Sequence, residues 1–403
     1  MKKLSVLSIG MAVLLAAALP LAAQAPDLHH IYAHTPIQVL NTTLSPNNPS
    51  GTLPRAFKSA YGFNQIPNQG QGQTIALVDA FDDPNIASDL AFYANYFHFG
   101  PCSFQKVIVG NPLQGQGWDL EESLDVQQAC ALAPQANIVL VEANSNSFDD
   151  LLAAVAVASA PPYNATVVSM SWGGGEFSGE NESDSFFCNI VNGNGQPVTF
   201  VAATGDGGHG TIYPSVSPCV VAAGGTTLAL STSEPGSNPF TIDYGHETTW
   251  TGSGGGVSQF ESQPSFQNPA CATWSTTFRC VPDIASDANP GTGVPVYDTL
   301  SSHGWVQVGG TSVATPDWGG FFTLVNSARA LQSPPKGTLS QADADLYTIY
   351  YSANYSTNFH DIVSGTNGGC GSQCTAGTGY DLVTGIGSYQ ANVLYGVMVA
   401  DTN

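Results

Sequence analysis

The stretch Thr74-Ile75-Ala76-Leu77-Val78-Asp79 is an unbroken apolar run that ends in an acid. A strand with one wet face would alternate polar and apolar residues. A run without alternation fits a strand covered on both faces, as in a parallel sheet. Outward from it, helical and apolar segments take turns. Pro84–Phe97 reads as a helix with proline near its start. Asp119–Leu132 reads as a second helix, Asn137–Glu142 as a strand and Phe148–Ala158 as a third helix. Ala165–Ser171 and Val198–Ala203 read as two more strands, and Ser312–Leu331 as a later helix. This order predicts an α/β fold: a doubly wound, mostly parallel sheet with helices on both faces. Ligands of such sheets sit beyond the carboxyl ends of the strands, where Asp79, Trp172 and Asp206 fall. Residues 225–310 are rich in Gly, Ser and Thr and predict loops and short strands.

The chain around this frame has 403 residues, of which 42% are hydrophobic, enough for a sizeable core and against disorder. Lys plus Arg number 8 against 30 Asp plus Glu, a net charge of −22 at pH 7. That balance excludes a nucleic-acid partner, which needs basic side chains on phosphates, and gives no polybasic patch for a membrane. An acidic surface suits acid, where protonation removes its self-repulsion. Lys2 and Lys3 precede an apolar run and the small residues Ala22, Ala23 and Ala25, the pattern of a secretory signal with a cut near Ala23 or Ala25. The expected organisation is a signal peptide at 1–25, a leader or linker at 26–55 and one domain at 56–403. A secreted or periplasmic monomer follows. The 8 cysteines allow four disulfides, with Cys271–Cys280 and Cys370–Cys374 as sequence-local pairs. No C-x-x-C pair supports zinc.

Three stretches carry chemistry. Gly309-Gly310-Thr311-Ser312 turns tightly and opens an apolar helix, which puts a hydroxyl at the positive end of a helix dipole. The bland reading is an N-cap serine. Asp119-Leu120-Glu121-Glu122-Ser123-Leu124-Asp125 places Glu121 and Asp125 four apart, on one helix face. Two such carboxyls can share a proton and titrate together; the bland reading is a solvated acidic face. Glu122 stands three residues after Asp119 and could complete a capping box. Asp79, His209 and Ser312 also fall in the chain order of a histidine triad. However, His209 follows the strand it should precede, and Ile212-Tyr213-Pro214 stops a helix after it.

Glu-x-x-x-Asp at 121–125, Gly-Asp-x-Gly at 205–208 and Gly-Thr-Ser-x-x-x-Pro at 310–316 resemble the sedolisin family of serine-carboxyl peptidases. Supporting strings are Gly72–Ala76, Val168–Gly174, Val281-Pro282-Asp283, and Asp361-Ile362 with Gly379-Tyr380-Asp381. The resemblance runs from about Tyr61 to Gly387. It implies a subtilisin-like fold and an acid-acting endopeptidase on protein or peptide substrates. In it Ser312 is the nucleophile, Glu121 the general base, Asp125 the acid that orients it and Asp206 the oxyanion donor. Asp79 and Trp172 match positions that extend the network behind Asp125 in some members, beside their bland roles of strand-end acid and core aromatic. Physics suits Asp206: an ionised carboxylate would repel an oxyanion, whereas a protonated one donates to it. The resemblance also implies one structural Ca²⁺ on the side chains of Asp361 and Asp381 and the carbonyls of Ile362, Gly377 and Gly379, an all-oxygen set. The rival readings are a catalytically inactive relative that binds, and a pepsin-like dyad through Asp125. The dyad needs paired Asp-Thr/Ser-Gly loops, and none occurs.

Overall fold

The computed structural model describes residue 28 and residues 30–40, 48–233 and 241–401, so the expected signal peptide and its cut lie outside the described residues. In chain order the first half runs β1 (Gln38–Val39), α1 (Pro54–Tyr61), β2 (Thr74–Ala80), α2 (Ile86–Tyr96), β3 (Ser103–Ile108) and α3 (Asp119–Leu132). There follow β4 (Asn137–Ala143), α4 (Phe148–Ser159), β5 (Val167–Met170), β6 (Gly174–Gly175), β7 (Thr199–Ala203) and β8 (Ile212–Tyr213). Next come β9 (Val221–Thr232), β10 (Ile242–Thr249), β11 (Gly256–Ser262), α5 (Asn268–Cys271), β12 (Phe278–Val281) and β13 (Ile284–Asp287). β14 (Val294–Asp298), β15 (Gly304–Gly309) and α6 (Thr311–Ala330) lead into an irregular tail that ends in a helix at Ala391–Ala400.

The main sheet has the order β10-β9-β7-β5-β2-β4-β3, with β13 also on β9. Every pairing in it is parallel except β9 with β10. The expected doubly wound α/β sheet is therefore present. β2 lies in its middle and is covered on both sides. Ile75 and Leu77 join the cluster that includes α3 and α6; Ala76, Val78 and Ala80 join the one that includes α4. Asp79 thus falls on the α3 side, opposite Glu142 in the parallel register. α6 is buried along almost its whole length and carries Trp318, Phe321 and Phe322 into the core. It is held between the sheet, α3 and the C-terminal helix, with its polar residues, Asp317, Asn326 and Arg329 among them, buried along with the apolar ones.

One expectation fails, and two features go beyond the sequence reading. Residues 225–310 hold more strand than loop: β9 continues the main sheet and turns back through β10. Gly224 and Gly225 hide this in the sequence, because they sit where Cβ atoms would strike Pro282, Ala288 and Trp250. The edge strand β3 was also not foreseen. The capping box at Asp119 does not form. Trp118 is the N-cap residue, Asp119 is already helical, and both oxygens of the Glu122 carboxylate are buried without a partner. All eight cysteines are paired, as Cys102–Cys130, Cys188–Cys219, Cys271–Cys280 and Cys370–Cys374.

Candidate active site

Gly310 precedes α6 with φ 112°, a conformation that favours glycine. Its bare backbone lets the helix begin at Thr311, so that Ser312 sits in the first turn with its hydroxyl turned toward α3. Ser312 Oγ donates to Glu121 Oε2 at 2.9 Å, across 191 residues of sequence. One turn further along α3, Asp125 Oδ1 accepts from Ser171 Oγ at 2.8 Å. Glu121 Oε1 and Asp125 Oδ2 are buried and have no partner. Burial is the first cause that pushes both carboxyls well above the usual range. The Asp125 charge adds to it for Glu121, and the Asp79 charge for both. The Ser312 and Ser171 hydroxyls pull the other way. The structure therefore brings together the two acids and the serine that the sequence singled out.

Asp206 follows β7, at the carboxyl end of the sheet. Its Oδ1 accepts from the Thr311 amide at 2.8 Å and from the Thr311 hydroxyl at 3.0 Å. Burial pushes its pKa up to about 7 against those two bonds. Because Oδ1 already accepts twice, the proton of the neutral acid belongs on Oδ2, which has no partner. Asp79 is fully buried, and burial together with the Glu142 charge raises it to about 8. Trp172 Nε1 donates to the Val78 carbonyl at 2.8 Å, so it fixes the strand beside Asp79 and makes no bond to that carboxylate.

The cleft over these groups holds a stretch of the chain itself. His34 N donates to Gly173 O at 2.9 Å and Gly173 N returns to His34 O at 3.1 Å. Ala33 N donates to Asn146 O at 2.8 Å. Two residues on, the Ser312 amide donates to the Pro36 carbonyl at 3.3 Å. Beyond it β1 pairs antiparallel with β15, Gln38 opposite Gly309. The Pro36 oxygen and Asp206 Oδ2 lie 2.0 and 2.7 Å from the point where a Cβ on Gly310 would fall. A stretch of the chain thus runs through the cleft, with the Pro36 carbonyl on the serine amide and both it and the unpartnered Asp206 Oδ2 close to Gly310.

The sequence profile of the subtilase family matches residues 111–346, more than half of the chain, and the matched part spans α3, β7 and α6. The chain belongs to the subtilase family. Within it this subtilase stands with the sedolisin-type members. It is 29% identical over 370 residues to kumamolisin of Bacillus sp. (strain MN-32), covering 84% of this chain and 62% of the relative. To sedolisin of Pseudomonas sp. (strain 101) it is 28% identical over 376 residues, 86% and 61% of the two chains. The chain spans about six tenths of the length of these curated relatives. Among solved structures, Pseudomonas sedolisin, a serine-carboxyl proteinase complexed with two molecules of pseudo-iodotyrostatin, superposes with a TM-score of 0.71 at 25% identity. The match covers 89% of this chain and 100% of that one.

In this subtilase His209 is exposed and its amide donates to Asn367 O. Its ring lies beside Cys370 and Cys374. Those sulfurs are joined in a disulfide, so they offer no thiolate to a metal. Of the expected calcium residues, the two acids both reach the 377–379 loop. Both Asp361 oxygens accept from Gly379 N, at 3.1 and 3.0 Å, and Asp381 Oδ2 accepts from Gly377 N at 2.8 Å. Burial raises both carboxyls, Asp381 to about 6, and among the described residues neither has an ion-pair partner. Two acids on one loop without a counter-charge are the kind of oxygen donor a hard cation takes. Sequence reading missed Ser171 as a partner of Asp125. It also missed the acids behind the site, Glu122 and Glu142, with Lys106 held at 3.1 Å from Glu142. The sequence signal for Glu142 is that it ends β4 as Asp79 ends β2.

Proposed function

We propose that this chain is a secreted, acid-acting serine-carboxyl endopeptidase, with a signal peptide at 1–25, a leader at 26–55 and a monomeric peptidase domain at 56–403. The observation that carries the reading is the Ser312–Glu121 hydrogen bond at 2.9 Å beneath a peptide carbonyl held by the Ser312 amide. Ser312 Oγ attacks the carbonyl carbon while Glu121 Oε2 takes its proton. The oxyanion rests on the Ser312 amide and on the proton of Asp206 Oδ2, in a site where a fixed donor acts strongly. Collapse expels the amine, which leaves with the proton from Glu121. Water then attacks the acyl-enzyme by the same path in reverse. Asp125, held by Ser171, keeps Glu121 aligned and shares its titration. A Ca²⁺ on Asp361, Asp381 and the carbonyls of Ile362, Gly377 and Gly379 would tie the tail to the domain.

Digestion of denatured protein at pH 3–5 tests this. Ser312→Ala and Glu121→Gln should each lower turnover at least about a thousand-fold while the circular dichroism stays unchanged. Undiminished digestion by either folded variant would sink the reading. A wild-type chain that cuts nothing would favour the binding relative instead.

A further inference from the structure

We propose that Ile212 floors the pocket for the side chain on the acyl side of the cleaved bond, so that cleavage follows short apolar residues, proline included. This rests on the peptidase reading above. The occupied cleft fixes the register. His34 is tied to Gly173 at both its amide and carbonyl, and the Pro36 carbonyl lies on the Ser312 amide. Pro36 is therefore the acyl-side residue, and it is buried. Gly173, bonded to His34, lies on one side of that position, and Gly205, next to Asp206, on the other. Paired glycines of this kind leave a deep slot unless another group enters it.

Ile212 enters it. A Cβ on Gly173 would fall 2.5 Å from Ile212 Cδ1, and one on Gly205 would fall 3.2 Å from the same atom. The side chain thus spans the gap between the two glycines. Its backbone is fixed from three sides. Ile212 pairs with Gly175 in β8 and β6, and its carbonyl accepts from Ser215 Oγ at 2.8 Å and Val216 N at 3.3 Å. A β-branched side chain on a fixed backbone has few rotamers to turn away into. Ile212 is only half-buried, as a pocket floor facing a cleft should be. Behind it Thr211 Oγ1 donates to Glu176 Oε2 at 2.8 Å, so the deeper space is polar and already bonded. A proline ring needs little depth. A phenyl ring would need the volume that Ile212 fills.

The test uses two peptides that differ only in the residue before the cut, proline or phenylalanine, assayed at several pH values from 3 to 7. The wild-type chain should have the higher kcat/KM on the proline peptide. Ile212→Ala should move the ratio toward phenylalanine by about ten-fold or more, since a few methylenes of pocket are worth that much. Ile212→Val, which removes one methyl and keeps the branch, should move it the same way by less, and serves if the alanine variant does not fold. A variant that slows both peptides alike, or a wild-type preference for phenylalanine, overturns the pocket assignment and leaves the peptidase reading standing. If the wild-type chain cuts neither peptide at any pH, nor denatured protein, the peptidase reading falls and the pocket with it.

Discussion

With both acceptor positions of its Oδ1 occupied by Thr311, Asp206 can donate only through Oδ2, and only while it is neutral. Its pKa of about 7 sets the alkaline limb of the rate profile there. The acid limb belongs to the Glu121–Asp125 pair, which must lose a proton before the serine can give one up. The profile should be a bell on the acid side of neutrality. Asp206→Asn keeps a donor at every pH, so whatever activity remains should lose part of its alkaline limb. A maximum near pH 8 in the wild-type chain would contradict this account. Ser171 tunes the other limb. Its hydroxyl favours ionised Asp125, so Ser171→Ala should raise the pair's titration and move the acid limb to higher pH. The lost charge-assisted bond should also lower kcat by about ten- to hundred-fold. A fall in kcat with an unmoved acid limb would assign Ser171 to packing alone. His209→Ala should leave activity near wild type, because the ring lies by the Cys370–Cys374 loop and not on Ser312.

At the level of elements, α6 was legible because Gly309 and Gly310 open it, and α3 was read as a helix over 119–132. The facing of their side chains was legible too, since a spacing of four puts Glu121 and Asp125 on one face. What lay behind them was not. The pairing of Asp79 with Glu142 needs the register of β2 on β4, and no local pattern encodes it. Burial of Glu122 runs against the ordinary preference of acids for solvent, so composition argues the wrong way. The route of residues 33–40 was hidden for a similar reason: their partners, Gly173 and Gly309, are more than a hundred residues away. The tail gave its two acids but not their approach to one loop. That loop makes its own prediction. Chelation near neutral pH should lower the melting temperature by several degrees, and Asp381→Ala should remove the response. Burial raises Asp381 to about 6 in the ion-free site, so protons compete with the ion for this carboxylate as pH falls, and the chelator effect should fade by pH 4. A melting temperature indifferent to chelator and to added Ca²⁺ would rule the site out.

Across the whole molecule, acids are buried with few cations to meet them. Asp83, Glu142, Asp287 and Asp343 are each raised to about 7, Glu180 to about 8 and Glu261 to about 9, burial being the first cause in each. In the unfolded chain these groups titrate near 4. Between pH 4 and about 7–9 the folded state therefore holds more protons than the unfolded one. The stability they supply is complete below pH 4 and is lost as pH rises through that window. The melting temperature should fall by several degrees from pH 4 to pH 8 in calcium-free buffer, and a rise over that range would refute the argument. One consequence of the occupied cleft also belongs at this scale. Residues 33–40 are tethered to the groove they fill, so they meet it at an effective concentration on the order of millimolar, whatever the amount of protein in the tube. Dilution cannot empty such a groove as it would release a free inhibitor. Progress curves begun from intact chain should start with a lag whose length is the same at every enzyme concentration, if the occupant leaves by a step within its own molecule. If one molecule clears another, the lag shortens as enzyme is added.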